Sequence, residues 1–346
     1  MTRSTLLLVL SLMVVGGGAG RVEPGDRVQD APPTPPADHH MHVRSAAAVE
    51  AFRQAQDALE QVVIPEERLV PLDGSDAVAA LDSAGIEKGV LLSVAYLFGT
   101  PELDVQDEYR KVRAENDFVA DQVRSRPERL VGFCSVDPLA DYAVREIERC
   151  AGLEGITGLK LHFGNSDVDL RDPGDVDRLQ GVFARADELG LPIVVHLRTR
   201  SSEFGARDAE IFLERVLAAA PDVPVQVAHL AGQGGYDHAQ RQALGVFVSA
   251  MEERPDLTEN LFFDLAAVPQ PPALAEGDTA LLRRVEDMNA VVADALLEVG
   301  LDRVVYGTDW DAIPLALYLD EIREALPMTD EEIRDLLDDP APYLEP

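Results

Sequence analysis

Lysine is nearly absent from this chain. Only Lys88, Lys111 and Lys160 occur among 346 residues, and 30 basic residues in all face 63 acidic ones. The formal charge of −33 repels phosphate backbones and anionic lipid surfaces, which excludes nucleic-acid partners and membrane association of the mature protein. Cysteine is equally scarce. Cys134 falls in a strand-like run and Cys150 at a helix end, and spacing alone does not pair them, so both are read as buried free thiols. Aromatic residues make up 5% of the chain, with one tryptophan, and mark no partner surface; the oligomeric state is left open.

Long apolar runs are missing too. The stretch Leu6–Val15 is about half of the roughly 20 residues that span a bilayer. Arg3 precedes it, and Gly16 to Gly20 follow, with Gly17 and Ala19 forming a small-residue cleavage site. Charge, apolar core and small residues in that order predict a signal peptide over 1–20 and an exported protein, periplasmic or secreted. No cysteine follows the site, which excludes a lipid anchor there. Residues 21–36, with Pro32-Pro-Thr-Pro-Pro36, read as a disordered linker, leaving 37–346 as one catalytic domain.

Within that domain short apolar runs alternate with longer amphipathic stretches. The runs are 38–43, 89–96, 130–136, 158–163, 192–199, 223–230, 261–267 and 304–310. Most are nearly continuous in Val and Leu, as in parallel strands buried on both faces. Between them 104–124, 175–189, 207–220, 238–253 and 279–299 carry helical periodicity. Eight strand–helix units predict an α/β fold, a closed (β/α)8 TIM barrel. Additional helices are expected at 46–61 and 76–83, the first placed to cover the barrel mouth.

The chemistry lies where those runs end. His40, His42, Lys160, His162, His196, His229 and Asp309 each close one, which is the C-terminal rim where such barrels carry their sites. A lone histidine is more often a satisfied core group; a series at one end of successive strands reads as a metal site. Residues i and i+2 of a strand share a face, so His40 and His42 point together. With His196 and Asp309 they make an N/O ligand set for one divalent cation, zinc being expected, whose bound water has a pKa near roughly 7. Asp309 is placed to accept that water's proton, and His229 to act as general base or to polarise the substrate. Lys160, His162 and Arg198 are candidate substrate contacts. A guanidinium binds carboxylates in bidentate fashion, although Arg198 and Arg200 equally suit ion pairs in so acidic a chain. His39 points away from His40 and reads as structural, and His238, at a helix start, as exposed. Gly232 to Gly235 reads as a tight turn after His229.

Five segments together resemble the amidohydrolase superfamily: Asp38-His-His-Met-His42, Gly158-Leu-Lys-Leu-His162, Gly190 to His196, Ala228-His-Leu-Ala-Gly232 and Tyr306-Gly-Thr-Asp309. They most resemble its amidohydrolase-related branch, which includes metal-dependent hydrolases, lactonases and decarboxylases of the aminocarboxymuconate-semialdehyde type. The resemblance covers about residues 37–340. It implies that His40, His42, His196 and Asp309 hold the metal and that His229 is catalytic. In two-metal members the strand-4 lysine is carboxylated, which Lys160 keeps open, though one metal is the preferred reading. The motif after Asp309 departs from the family: Trp310-Asp311 stands where a proline often follows, so Asp311 is unexpected. The leading expectation is hydrolysis of an ester, lactone or amide by metal-activated water. Non-oxidative decarboxylation of a carboxylic acid on the same site is the alternative, and an inactive binding protein the third.

Overall fold

Eight short strands form one sheet in sequence order: β1 Ala37–Met41, β2 Lys88–Leu92, β3 Leu130–Ser135, β4 Ile156–His162, β5 Ile193–His196, β6 Val225–Val227, β7 Leu261–Asp264 and β8 Val304–Val305. Every neighbouring pair is parallel. The sheet curls until its ends meet. His39 N donates to Tyr306 O at 2.9 Å, Asp309 N to His40 O at 2.9 Å and His42 N to Trp310 O at 2.7 Å. The computed structural model describes residues 33–60, 64–275, 277–338 and 341–344. The expected signal peptide and residues 21–32 of the expected linker lie outside the described residues. Among those described, no helix is long and apolar enough to cross a membrane.

The helices around the sheet are α1 Ala46–Ala58, α2 Gly74–Ala84, α3 Glu108–Arg124, α4 Ala143–Ala151, α5 Pro173–Glu188, α6 Ala206–Ile211, α7 His238–Glu253, α8 Pro255–Thr258, α9 Thr279–Val299, α10 Leu315–Ala325 and α11 Asp330–Asp338. Aspartate is the usual start signal. Asp73, Asp172, Asp237 and Asp278 each accept from first-turn backbone amides of α2, α5, α7 and α9. The acidic composition thus complements the positive ends of the helix dipoles. The helix expected over 207–220 remains α-helical only to Ile211, then widens into a π-type turn over Phe212–Val216 and tightens over Leu217–Ala219.

Apolar side chains fill two layers. Leu91, Cys134, Leu159, Leu161, Val195 and Phe263 lie in the main core outside the barrel wall, where the helices pack. Val90, Leu92, Phe133 and Val194 form a separate inner cluster, against which Tyr343 and Leu344 pack. The alternation Val90, Leu91, Leu92 is the strand period distributing side chains between the layers. Gly158 makes room inside: a Cβ there would lie 2.4 Å from the Phe133 ring. Cys134 and Cys150 are free and buried, as expected.

The observed strands stop short of the runs read from sequence. Past each paired segment the chain turns at the rim while staying buried, as at Val94 to Phe98 after β2 and Leu265, Ala266 after β7. Apolar character therefore outlasts strand pairing. On this rim α1 packs Ala48 and Ala51 against Tyr96, Leu97 and Phe98, covering part of the mouth as expected.

Candidate metal centre

Three side chains from the two ends of the sheet converge first. His40 is the fourth residue of β1, His42 follows the strand, and Asp309 lies in the turn after β8. Asp309 Oδ1 stands 3.3 Å from His42 Nε2 and 3.6 Å from His40 Nε2. The donor atoms of this trio lie within 4.8 Å of one another. Gly307 permits the approach, since a Cβ there would meet His40 Cβ at 2.9 Å. Asp38 ties the same elements together. It accepts from His40 N at 3.0 Å, Thr308 N at 3.2 Å and Thr308 Oγ1 at 2.6 Å.

The hydrogen bonds assign the imidazole protons. His42 Nδ1 donates to Leu92 O at 2.9 Å, and His229 Nδ1 to Ala266 O at 2.7 Å. His40 Nδ1 donates to Asp264 Oδ2 at 2.9 Å. With Nδ1 committed to these acceptors, each ring turns Nε2 toward the centre, the nitrogen through which imidazole can bind a metal. Burial pulls the His40 pKa down to about 3, with Lys160 adding to the effect, so the ring is neutral near pH 7. Burial opposes ionisation of Asp264 and Asp309. Their imidazole neighbours outweigh it, His40 for Asp264 and the His42 bond for Asp309, and hold both carboxyls well below the usual range. Imidazole nitrogens beside an ionised carboxylate fit a divalent cation.

His229 reaches the cluster from a turn rather than a strand. It has φ 56°, Leu230 49° and Ala231 66°, and Asp309 likewise has φ 61°. Such left-handed backbone is uncommon outside glycine and concentrates at functional sites. It aims both side chains back over the rim. Asp264 holds this turn through its carboxylate, which accepts from His229 N at 2.8 Å, Ala266 N at 3.1 Å and Gln226 Nε2 at 2.7 Å. Asp264 and Gln226 went unread in the sequence. Asp264 closes β7 as His196 closes β5, but the preceding Leu261-Phe-Phe masked it as one more apolar run.

Lys160 Nζ stands 3.4 Å from His40 Nε2, and burial lowers its pKa to about 8 against the pull of Asp264 and Asp309. Rings continue the wall. Tyr96 lies 4.8 Å from His162, His162 stacks on His196 at 3.9 Å and 11°, and His196 meets His229 at 5.2 Å, centroid to centroid. His229 in turn lies 4.9 Å from His40, and His40 5.1 Å from His42. His196 therefore belongs to the wall but to neither group of donors that lie within 4.8 Å of one another, which are His40, His42, Asp309 and His40, His229, Asp264. Its buried Nδ1 has no hydrogen-bond partner among the described residues, as suits an atom awaiting a ligand.

Other candidates sit elsewhere. Arg198 lies over the Phe204 ring, 3.3 Å from Asp237 Oδ1, and Arg200 pairs with Glu102 at 2.5 Å. Asp311 pairs with Arg44, at 2.5 Å to Nη1 and 2.8 Å to Nη2. His39 meets Tyr343 of the inner cluster, its Nδ1 3.1 Å from the hydroxyl, and His238 is exposed at the start of α7.

Convergent imidazoles and a carboxylate at the C-terminal rim of a parallel (β/α)8 barrel make a site that fits a divalent metal. The chain belongs to the amidohydrolase family, whose family model matches residues 37–341. It is similar to the gamma-resorcylate decarboxylase of Rhizobium sp. (strain MTP-10005), 24% identical over 66% of this chain and 74% of that one. The gamma-resorcylate decarboxylase of Polaromonas sp. (strain JS666) is 27% identical over 71% and 79%. Among solved structures, a 5-carboxyvanillate decarboxylase from Sphingomonas paucimobilis shares the fold, with TM-score 0.58 and 18% identity over 87% of this chain and 95% of that one. A dihydroxybenzoic acid decarboxylase from Polaromonas sp. JS666, solved with manganese and 2-nitroresorcinol, has TM-score 0.56 and 19% identity over 88% and 94%. The expectation of hydrolysis is overturned by these relatives, which are named as decarboxylases. One ligand set serves both chemistries, so the motifs pointed to the metal and left the reaction open.

Proposed function

We propose that this chain is a metal-dependent, non-oxidative decarboxylase of a small aromatic acid of the hydroxybenzoate class. The observation that carries this reading is the run of rings from Tyr96 to His42 lining the mouth beside the donor cluster. A flat ring fits against such a wall, and its carboxylate then lies toward positive charge. His40, His42 and Asp309 would hold one divalent ion, with His196 completing the set; manganese, present in the solved relative, and zinc both suit these donors. The ion would supply a positive centre that binds an anionic substrate. Lys160, protonated below about pH 8, adds a cation beside the same position and pairs with the substrate carboxylate. The stacked His162 and His196 support the aromatic plane. Decarboxylation breaks the ring-to-carboxylate bond, leaves its electron pair on the ring carbon, and replaces CO2 with a proton. Solvent supplies that proton, and His229 at Nε2 and Asp309 at its carboxylate are the groups placed to take it up and pass it to the ring carbon.

The test is a panel of hydroxylated benzoates given to manganese-loaded protein, with CO2 and the decarboxylated arene both quantified. Stoichiometric release from at least one acid is expected, together with loss of turnover in His229→Asn and Asp309→Asn. Failure of every acid in the panel while lactones or amides are cleaved would overturn the proposal.

A further inference from the structure

The C-terminal segment reaches the metal centre from below. Its half-buried Tyr343 packs on Phe133 in the inner cluster, with ring centroids 5.4 Å apart, while its hydroxyl meets two polar side chains. Tyr343 Oη lies 2.5 Å from Gln226 Oε1 and 3.1 Å from His39 Nδ1. Proton counting leaves one direction for the whole chain. The Ala341 amide donates to His39 Nε2 at 3.4 Å, so the His39 proton is on Nδ1 and passes to Tyr343 Oη. The tyrosine has one proton, which it gives to Gln226 Oε1. The Gln226 amide nitrogen then donates to Asp264 Oδ2 at 2.7 Å, the same oxygen that receives His40 Nδ1 at 2.9 Å.

We propose that Tyr343 is a positioning residue for the metal centre, acting through Gln226 and Asp264 to hold His40 with its Nε2 lone pair toward the ion. The mechanism is directional. Without the hydroxyl, Gln226 Oε1 loses its donor inside the barrel and the side-chain amide is free to turn over. A turned amide sets oxygen against the Asp264 carboxylate and withdraws one of its donors. Asp264 is then less well held, and the imidazole that leans on it loses orientation. Groups one bond removed from a ligand commonly matter to metal affinity by about 10- to 100-fold. His39, next in sequence to His40, gains a role as the donor that turns the tyrosine hydroxyl toward Gln226.

This inference rests on the metal assignment made above but is read without turnover. Manganese(II) is titrated calorimetrically into metal-free wild type, Tyr343→Phe, Gln226→Leu, the double variant and Leu344→Ala. Phenylalanine keeps the packing on Phe133, and Leu344 lies on the same segment with no part in the hydrogen-bond chain. Tyr343→Phe should weaken manganese binding about 10-fold, Leu344→Ala should lower thermal stability with affinity unchanged, and Tyr343→Phe should add nothing in the Gln226→Leu background. Wild-type affinity in Tyr343→Phe, or an equal loss in Leu344→Ala, overturns the relay. A wild type that binds no manganese overturns both proposals. One that binds and responds as stated but decarboxylates nothing sinks the proposed function alone.

Discussion

Cutting the Arg44–Asp311 pair should cost this protein a large part of its stability. Arg44 is 1% exposed and its guanidinium makes four bonds: Nε to Val70 O at 2.9 Å, Nη2 to Arg68 O at 3.0 Å, and the two to Asp311. Half of that shell belongs to Asp311. Asp311→Ala leaves a buried cation facing two neutral carbonyls, and removal of one partner from a buried pair costs about 3–5 kcal/mol. Against a total of about 5–15 kcal/mol for a typical domain, that is a first-order effect. The apolar double variant Arg44→Met, Asp311→Leu removes the stranded charge. It should regain about 2 kcal/mol, the remainder reflecting the Val70 and Arg68 carbonyls left without a donor. Urea titration of the metal-free protein reads both numbers from the midpoint at constant slope. Because Asp311 is two residues from Asp309, manganese affinity should fall together with stability in the single variant. A single variant within about 0.5 kcal/mol of wild type would refute the claim that this pair anchors the turn.

Two further outcomes follow from the centre itself. Lys160 has its pKa lowered from the ordinary 10.5 to about 8, chiefly by burial, so the unfolded chain binds more protons between those values. Stability of the metal-free protein should therefore rise as pH climbs from about 8 to about 10.5, by at most about 3 kcal/mol, and Lys160→Met should remove that rise; equal slopes in the two proteins would contradict it. Metal at 100 times its dissociation constant should stabilise the wild type by about 2.7 kcal/mol, and chelation should reverse this. His42→Ala, which deletes one donor of the trio, should unfold at nearly the same temperature with and without manganese, and a full metal-induced shift in that variant would argue that the ion sits elsewhere.

Much of this was legible in the residue string because periodicity and polarity coincide. Strand-like runs of Val and Leu placed eight parallel strands, and polar residues ending five of those runs marked the rim. His40-x-His42 could be read as a pair because a strand has a two-residue repeat. Three features were not legible. The left-handed residues of the turns, His229, Leu230, Ala231 and Asp309, are none of them glycine or asparagine, so the nearby Gly232 and Gly307 marked turns without showing which residues take the unusual backbone. Asp264 is hidden behind two phenylalanines, and Tyr343 does its work some 304 positions from His39, a contact no short window contains. Of the two readings that composition left open for Arg198 and Arg200, ion pairs are present, with Asp237 and Glu102.

The separation of the donors along the chain fixes an order of events in assembly. His40, on β1, and Asp309, after β8, lie at opposite ends of the sheet and meet only when it has closed on itself, as do His40 and the Asp264 that orients it, 224 positions apart. A cation therefore has no pocket to nucleate around in the nascent chain, unlike a zinc finger whose ligands are close neighbours. For the proposed centre, loading would then follow closure of the sheet, with the folded apoprotein as the species that takes up the ion.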